Sequence, residues 1–354
     1  MSRLYRLCTR SFGAMIIAAT AASASASAAE LSLLTWEGYA DASFIKDFET
    51  ESSCKVSATY VGSNDDFAPK LAAGGGVYDI IVPSIDTIGL MRQAGFVEPI
   101  DPAKVPALKE TYERFNTATD VKVEGEQWSV PLVWGSISLM YRTDKVSPAP
   151  DSIAVMFDPK YKGKIAFWDD KSTLYWAARY LGVTNIYDMS DEELEKVKAT
   201  LIAQKPLVRK YWATAGELTD LYANQEVWVS NTWTGLQSGM IRALNKGFDV
   251  TEFLPKEKGE GWMDSMMLVK GGANTDCAYK FINYMLTPKG QCGIIGVTGY
   301  FPVSPKAVEG CLDEAAKKAN HVNDLGFIDG LVMWQMPARL DKYLETWNAV
   351  KAAQ

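Results

Sequence analysis

The chain has 354 residues, 36 Lys and Arg against 43 Asp and Glu, a net charge of −7, and a single histidine, His321. An acidic chain lacks the clustered Lys and Arg that phosphate backbones require, which argues against nucleic acid as a partner. One histidine rules out multi-histidine zinc sites and leaves a Ser-His-Asp triad only His321 to build on. There is no G-x-x-x-x-G-K-[ST] and no G-x-G-x-x-G, so no nucleotide cofactor is signalled, and no cofactor of any kind is expected.

Read from the N-terminus, the first elements belong to export. Arg3, Arg6 and Arg10 precede an apolar stretch from Phe12 to Ala22, and small residues from Ser23 to Ala29 offer a cleavage site. This order is that of a Sec-type signal peptide over residues 1–29, and the apolar stretch is shorter than the roughly 20 residues a membrane span needs. Removal leaves 354 − 29 = 325 residues and, because three Arg and no acids go with it, moves the net charge from −7 to −10. No later segment is apolar enough to span a bilayer. The expected product is periplasmic, monomeric and built as two domains.

Leu31–Thr35 reads as a buried strand entering the turn Trp36-Glu37-Gly38-Tyr39, and Asp41–Thr50 as a helix with Phe44, Ile45 and Phe48 on one face. Lys55–Val61 alternates as a strand, Asp65–Ala73 is a short helix, Tyr78–Val82 is an apolar strand before Pro83-Ser84, and Ile88–Ala94 is a helix. The second region alternates in the same way. A strand over Ile165–Trp168 precedes Asp169-Asp170, a helix runs from Leu174 to Leu181, and a capping box at Ser190 to Glu193 opens another helix. Glu226–Val229 reads as a strand leading into Asn231-Thr232-Trp233, and Ala278, Phe281, Ile282 and Met285 mark a late helix stopped at Thr287-Pro288. Alternating strands and helices imply an α/β fold with a largely parallel sheet, whose ligands bind beyond the carboxyl ends of strands. Trp36–Tyr39 and Ser84–Asp86 fall at such ends.

Outside the leader the cysteines are Cys54, Cys277, Cys292 and Cys311, which allow three pairings in an oxidising compartment. Cys277 and Cys292 open consecutive helices and could be neighbours. Of eleven tryptophans, most should serve the core, but Trp36, Trp233, Trp262 and Trp334 stand at turns or strand ends beside polar groups. Trp168 precedes Asp169-Asp170, and Trp262 precedes Asp264 by two residues. Aromatic faces beside carboxylates suit an organic cation, at roughly 0.5–2 kcal/mol per well-placed ring, with the carboxylate completing a charge-assisted hydrogen bond. Solvated turn acids and helix caps are the plainer reading, and Asp169 fits it.

From Leu31 onward the chain resembles the periplasmic spermidine/putrescine receptors of ABC importers, of type II solute-binding fold. The residues carrying the likeness are Thr35-Trp36-Glu37-Gly38-Tyr39, Tyr78 to Ser84, Val130-Pro131-Leu132-Val133-Trp134-Gly135, Tyr161 to Asp170, Thr232-Trp233-Thr234-Gly235, Gly261-Trp262-Met263-Asp264-Ser265, Gly299-Tyr300 and Trp334-Gln335. The resemblance implies two α/β lobes, 30–135 plus 266–305 and 136–265 plus 306–354, with the ligand cleft between them. It implies a cage of Trp36, Tyr39, Trp233, Trp262 and Tyr300, with neutral hydrogen bonds from Ser84 and Gln335, and ammonium partners at Asp264 and Asp170. A membrane permease would be the protein partner and a small amine the cargo.

Two positions depart from that family. Asp86 stands where an aromatic is expected, which adds it to the candidate ligand-binding set, and Ser172 and Thr173 stand where an acid is expected. The cargo is then putrescine-like, spermidine-like or another amine. Arg209 could clamp a carboxylate, which would suit an ω-amino acid such as γ-aminobutyrate, or could form a surface ion pair. The rival from another class is an exported carboxylate-dependent hydrolase.

Overall fold

The computed structural model describes residues 29–74, 77–324 and 326–353, so the leader read over residues 1–29 lies outside the described residues except for Ala29. The first strand, Ala29–Trp36, pairs in parallel with Cys54–Val61 on one side and with Ile80–Ile81 on the other. Between the first two lies the helix Ala42–Ser52, capped by the Asp41 carboxylate accepting from the Ser43 N–H at 2.8 Å and burying Phe44, Ile45 and Phe48. That is the face its spacing predicts. The second half is built the same way: Val229–Trp233 pairs in parallel with Ile165–Trp168, and Ile165–Trp168 with Val208–Trp212.

The middle of the sheet is antiparallel. Val130–Arg142 is buried along its whole length and pairs with Glu260–Val269, itself wholly buried, and with Val229–Trp233. Glu260–Val269 continues past this ladder to pair with Ile80–Ile81 of the first half. These two strands therefore knit both halves into one sheet, and a largely parallel sheet holds only for its two wings. The helix-between-strands pattern that signals parallel pairing is absent around the two long strands, and their near-continuous apolar sequences give no direction. Their register slips between Asp264 and Ser265, where Pro131 has no N–H to give to the ladder.

Elsewhere most boundaries move by one to three residues, as where the helix read over Ile88–Ala94 runs Ile85–Gln93. The capping box at Ser190 and Glu193 opens the helix Asp191–Gln204, and Thr287 caps Pro288–Thr298. The strand expected over Glu226–Val229 instead runs Val229–Trp233, because Gln225 at φ 60° makes a turn first.

The cysteines form two bridges, Cys54–Cys277 and Cys292–Cys311. Cys277 and Cys292 are thus not partners of each other. The helix Thr275–Met285 packs its opening turn against the start of Cys54–Val61 instead.

Candidate functional site

Four strand or turn ends converge where the halves meet. Trp36 ends the first strand, Ser84 precedes the helix Ile85–Gln93, Trp168 ends Ile165–Trp168, and Trp233 ends Val229–Trp233. With Tyr39, Trp262, Tyr300, Trp334, Ile137 and Asp264 they line a narrow cavity of about 20 Å³. That is room for little more than one water molecule, so the aromatic walls lie nearly in contact.

Seven of the ten lining residues are aromatic, and they brace one another edge to face. Trp168 and Trp233 stand 5.3 Å apart at 87°, Trp36 and Trp233 6.0 Å apart at 75°, and Trp262 and Tyr300 4.7 Å apart at 79°. Trp168 is stacked between Trp212 and Trp334. Indole N–H groups are tied down behind the rings: Trp36 donates to the Val82 carbonyl at 2.8 Å, and Trp334 to Glu260 at 2.9 Å. Fixed rings lose little entropy when a guest arrives. Two glycine positions make the wall possible. A Cβ on Gly135 would lie 2.5 Å from the Trp262 ring, and Gly235, at φ +92°, lets its backbone meet that of Gly299.

Asp264 is the one charged residue on the wall. It sits at the slip in the long ladder, buried to 3% exposure, and accepts from Ser84 Oγ at 2.5 Å and from the Tyr39 hydroxyl. Among the described residues these hydroxyls are its only side-chain hydrogen-bond partners, and no Lys, Arg or His lines the cavity. Burial pushes its carboxyl up to about 7 against the pull of both hydroxyls, with the negative Asp86 adding to the rise. A carboxylate so desolvated is ionised at little cost only when a cation comes to it.

Of the residues singled out in the sequence, Trp36, Tyr39, Ser84, Trp168, Trp233, Trp262, Asp264, Tyr300 and Trp334 are brought to this cavity. Asp86, Asp170 and Gln335 lie off its wall. Asp86 is ion-paired to Lys171 at 3.0 Å. Asp170 accepts from Ser63 Oγ at 2.6 Å and from the Ser172 N–H at 2.8 Å. Gln335 is exposed, and its neighbour Trp334 takes the place on the wall. Arg209 pairs with Glu226 at the surface. Thr173 donates to the Trp168 carbonyl. Trp168, noted in the sequence beside Asp169-Asp170 but absent from the cage that the resemblance implies, joins the wall as the end of a strand; nothing in the sequence singles out Ile137.

The cleft is bridged beside the cavity. Trp168 Nε1 donates to the Gly62 carbonyl at 2.8 Å, and the Ser63–Asp170 bond crosses at the same level. Among the described residues no group of acids, Cys or His is placed to hold a metal ion, and no helix is long and apolar enough to cross a membrane.

Comparison with known proteins gives a consistent result. A family model described as bacterial extracellular solute-binding protein matches residues 43–323. A putrescine/cadaverine-binding protein of Pseudomonas aeruginosa is 28% identical over 283 residues, 75% of this chain and 77% of that one. A putrescine-binding periplasmic protein of the same species is 27% identical over 373 residues, 97% of this chain and 99% of its own. A solved structure from Listeria monocytogenes, described as a spermidine/putrescine ABC transporter, superimposes with a TM-score of 0.82 at 26% identity, covering 92% of this chain and 99% of that one. The fold is the expected two-lobed α/β fold of type II periplasmic binding proteins.

Proposed function

The chain belongs to the bacterial extracellular solute-binding proteins, and on that footing we propose that it is the periplasmic receptor of an ABC importer for a small aliphatic amine, of the class that includes putrescine. The observation that carries this reading is Asp264: a buried carboxylate, held by two hydroxyls, in a wall of aromatic rings without a cationic side chain. An ammonium would restore its charge by a charge-assisted hydrogen bond, while the rings cover the alkyl body and attract the cation. The relatives' names, which speak of putrescine, cadaverine and spermidine, support the class.

Capture would work by hinge closure. The lobes would be residues 30–135 plus 266–305 and 136–265 plus 306–354, turning about the two long strands. Cargo touching Trp36 and Tyr39 from one side and Trp168 and Trp233 from the other, with Asp264 at the boundary between them, would stabilise the closed form. The closed monomer would then dock on its permease and catalyse nothing. The ω-amino-acid reading loses its residue, since Arg209 is engaged by Glu226 away from the cavity.

The test is calorimetry on protein stripped by unfolding and refolding, with butylamine, putrescine, cadaverine, spermidine, γ-aminobutyrate, choline and a hexose. Binding of one or more of the amines and no response to the hexose is the expected result. Binding of γ-aminobutyrate alone, or turnover of a glycoside, would overturn the reading.

A further inference from the structure

Next to the aromatic wall lies a second group of buried acids, and it already holds an ammonium. Lys171 follows the wall residue Trp168 by three positions, and its Nζ lies 3.0 Å from Asp86 and 3.3 Å from Asp65. Its side chain is 3% exposed and that of Asp86 2%. These two acids come from the opposite lobe. Asp86 follows the wall residue Ser84 by two positions, and the Ser84 N–H donates to Asn64, the neighbour of Asp65, at 3.0 Å. Asp170, from the same loop as Lys171, also bears on the ammonium. Burial lowers the Lys171 ammonium, but Asp65, Asp86 and Asp170 outweigh it and hold it well above its ordinary value. Three acids and one Lys leave a formal charge of −3 + 1 = −2. Burial, with the neighbouring acids, accordingly pushes Asp65 up to about 6.

We propose that Lys171 is a resident second ammonium: it occupies the acidic end of the cleft where a diamine would lodge its far charge, so that the cargo carries a single ammonium, held at Asp264, on a short apolar body. This rests on the amine reading above and narrows it. The argument is one of charge and space. A diamine in this cleft needs a carboxylate at each end, because burying an ammonium without one costs more than a flanking ring returns. The carboxylate on the wall is Asp264; Asp86 and Asp65 are already paired with Lys171, and Glu260, behind Trp334, with Arg179. A second ammonium would have to sit in the aromatic box unpaired or displace a covalently tethered one. A monoamine meets neither obstacle, and its alkyl end can lie against Trp168 and Trp233.

The experiment uses matched pairs, butylamine with putrescine and pentylamine with cadaverine, titrated by calorimetry into the full-length mature protein and its Lys171→Ala variant. The natural protein should bind each monoamine at least tenfold more tightly than its diamine. Lys171→Ala frees both the space and the carboxylates, so diamine affinity should rise at least tenfold while monoamine affinity stays within about threefold. Lys171→Arg should keep the original preference. If the natural protein binds putrescine or cadaverine as tightly as the matched monoamine, Lys171 is no more than a support between the lobes, and the amine reading survives. If no amine binds the natural protein, the amine reading itself fails and this inference goes with it. The first titration decides even where Lys171→Ala does not fold.

Discussion

Glu260 and Asp264 stand four residues apart on one strand, both buried, and both with carboxyls pushed up to about 7 mainly by burial. They differ in company. Glu260 has Arg179 at 2.7 Å and the Trp334 N–H at 2.9 Å; Asp264 has two neutral hydroxyls. The first is a completed ion pair that props a ring of the wall from behind. The second is the same chemistry left one cation short, facing the cavity. Burial alone therefore does not make a binding site. A buried acid becomes one when the fold supplies its hydrogen bonds and withholds its counter-charge. At Lys171 an ammonium is already in place beside Asp86 and Asp65, so that cluster resembles Glu260 more than Asp264, although its three acids still outnumber its one cation.

Either carboxylate can be neutralised to test this. Asp264→Asn keeps acceptor and donor capacity toward Ser84 and Tyr39 but removes the charge, so calorimetry should show at least a hundredfold loss of amine affinity. The same variant should gain stability without cargo. An unfolded chain ionises Asp264 near its ordinary 3.8, whereas the folded protein holds the proton to about 7. That stabilisation is complete below pH 3.8 and is lost as pH climbs through 7. At pH 8 the variant should therefore melt above the natural protein, by roughly 2–4 °C for each kcal/mol recovered. Glu260→Gln should do the reverse. It strands Arg179 as a buried unpaired cation, at a cost of about 3 kcal/mol in denaturant unfolding, while the charge that meets the cargo is untouched.

Titration separates the two carboxyls further. Amine affinity should fall as pH drops from 8 to 6, approaching tenfold per unit below 7, because the cargo must first displace the Asp264 proton. Calorimetry at pH 7 in buffers of different ionisation enthalpy should register proton release on binding. The groups facing this carboxyl are Tyr39, Ser84, Tyr300 and Asp86, and both tyrosines are raised by burial and stay protonated throughout. Arg209→Ala should change least. An exposed pair with Glu226 contributes under about 1 kcal/mol, and amine affinity should be unaltered.

What could be read from the sequence follows the range of the forces involved. Helix faces, caps and the strand-end aromatics depend on neighbours a few residues away, and Phe44-Ile45-Phe48, the box at Ser190 and Trp36 are all legible. Asp264 is reached through a motif shared with a family. The partners of Asp86 are not legible. Lys171 lies 85 positions further along the chain, and only the meeting of the two halves of the fold brings them together. The cysteines fail for the same reason. Proximity in sequence suggests Cys277 with Cys292, whereas the fold carries Cys277 to Cys54, 223 positions away.

The bridge between Cys292 and Cys311 encloses a loop that contains Gly299 and Tyr300, and with them one ring of the box and the backbone contact to Gly235. A closed loop of this length restricts the unfolded chain by about 3 kcal/mol. Without the bridge, the last side of the box rests on the Tyr300 N–H bond to Thr298, the pairing of Phe301–Pro302 with Val133–Trp134, and packing. Maturation of the site is thus tied to oxidation: a chain with free thiols forms the wall at Tyr300 with a less restricted unfolded state to overcome, and the finished wall is most secure in a compartment where its cysteines are paired.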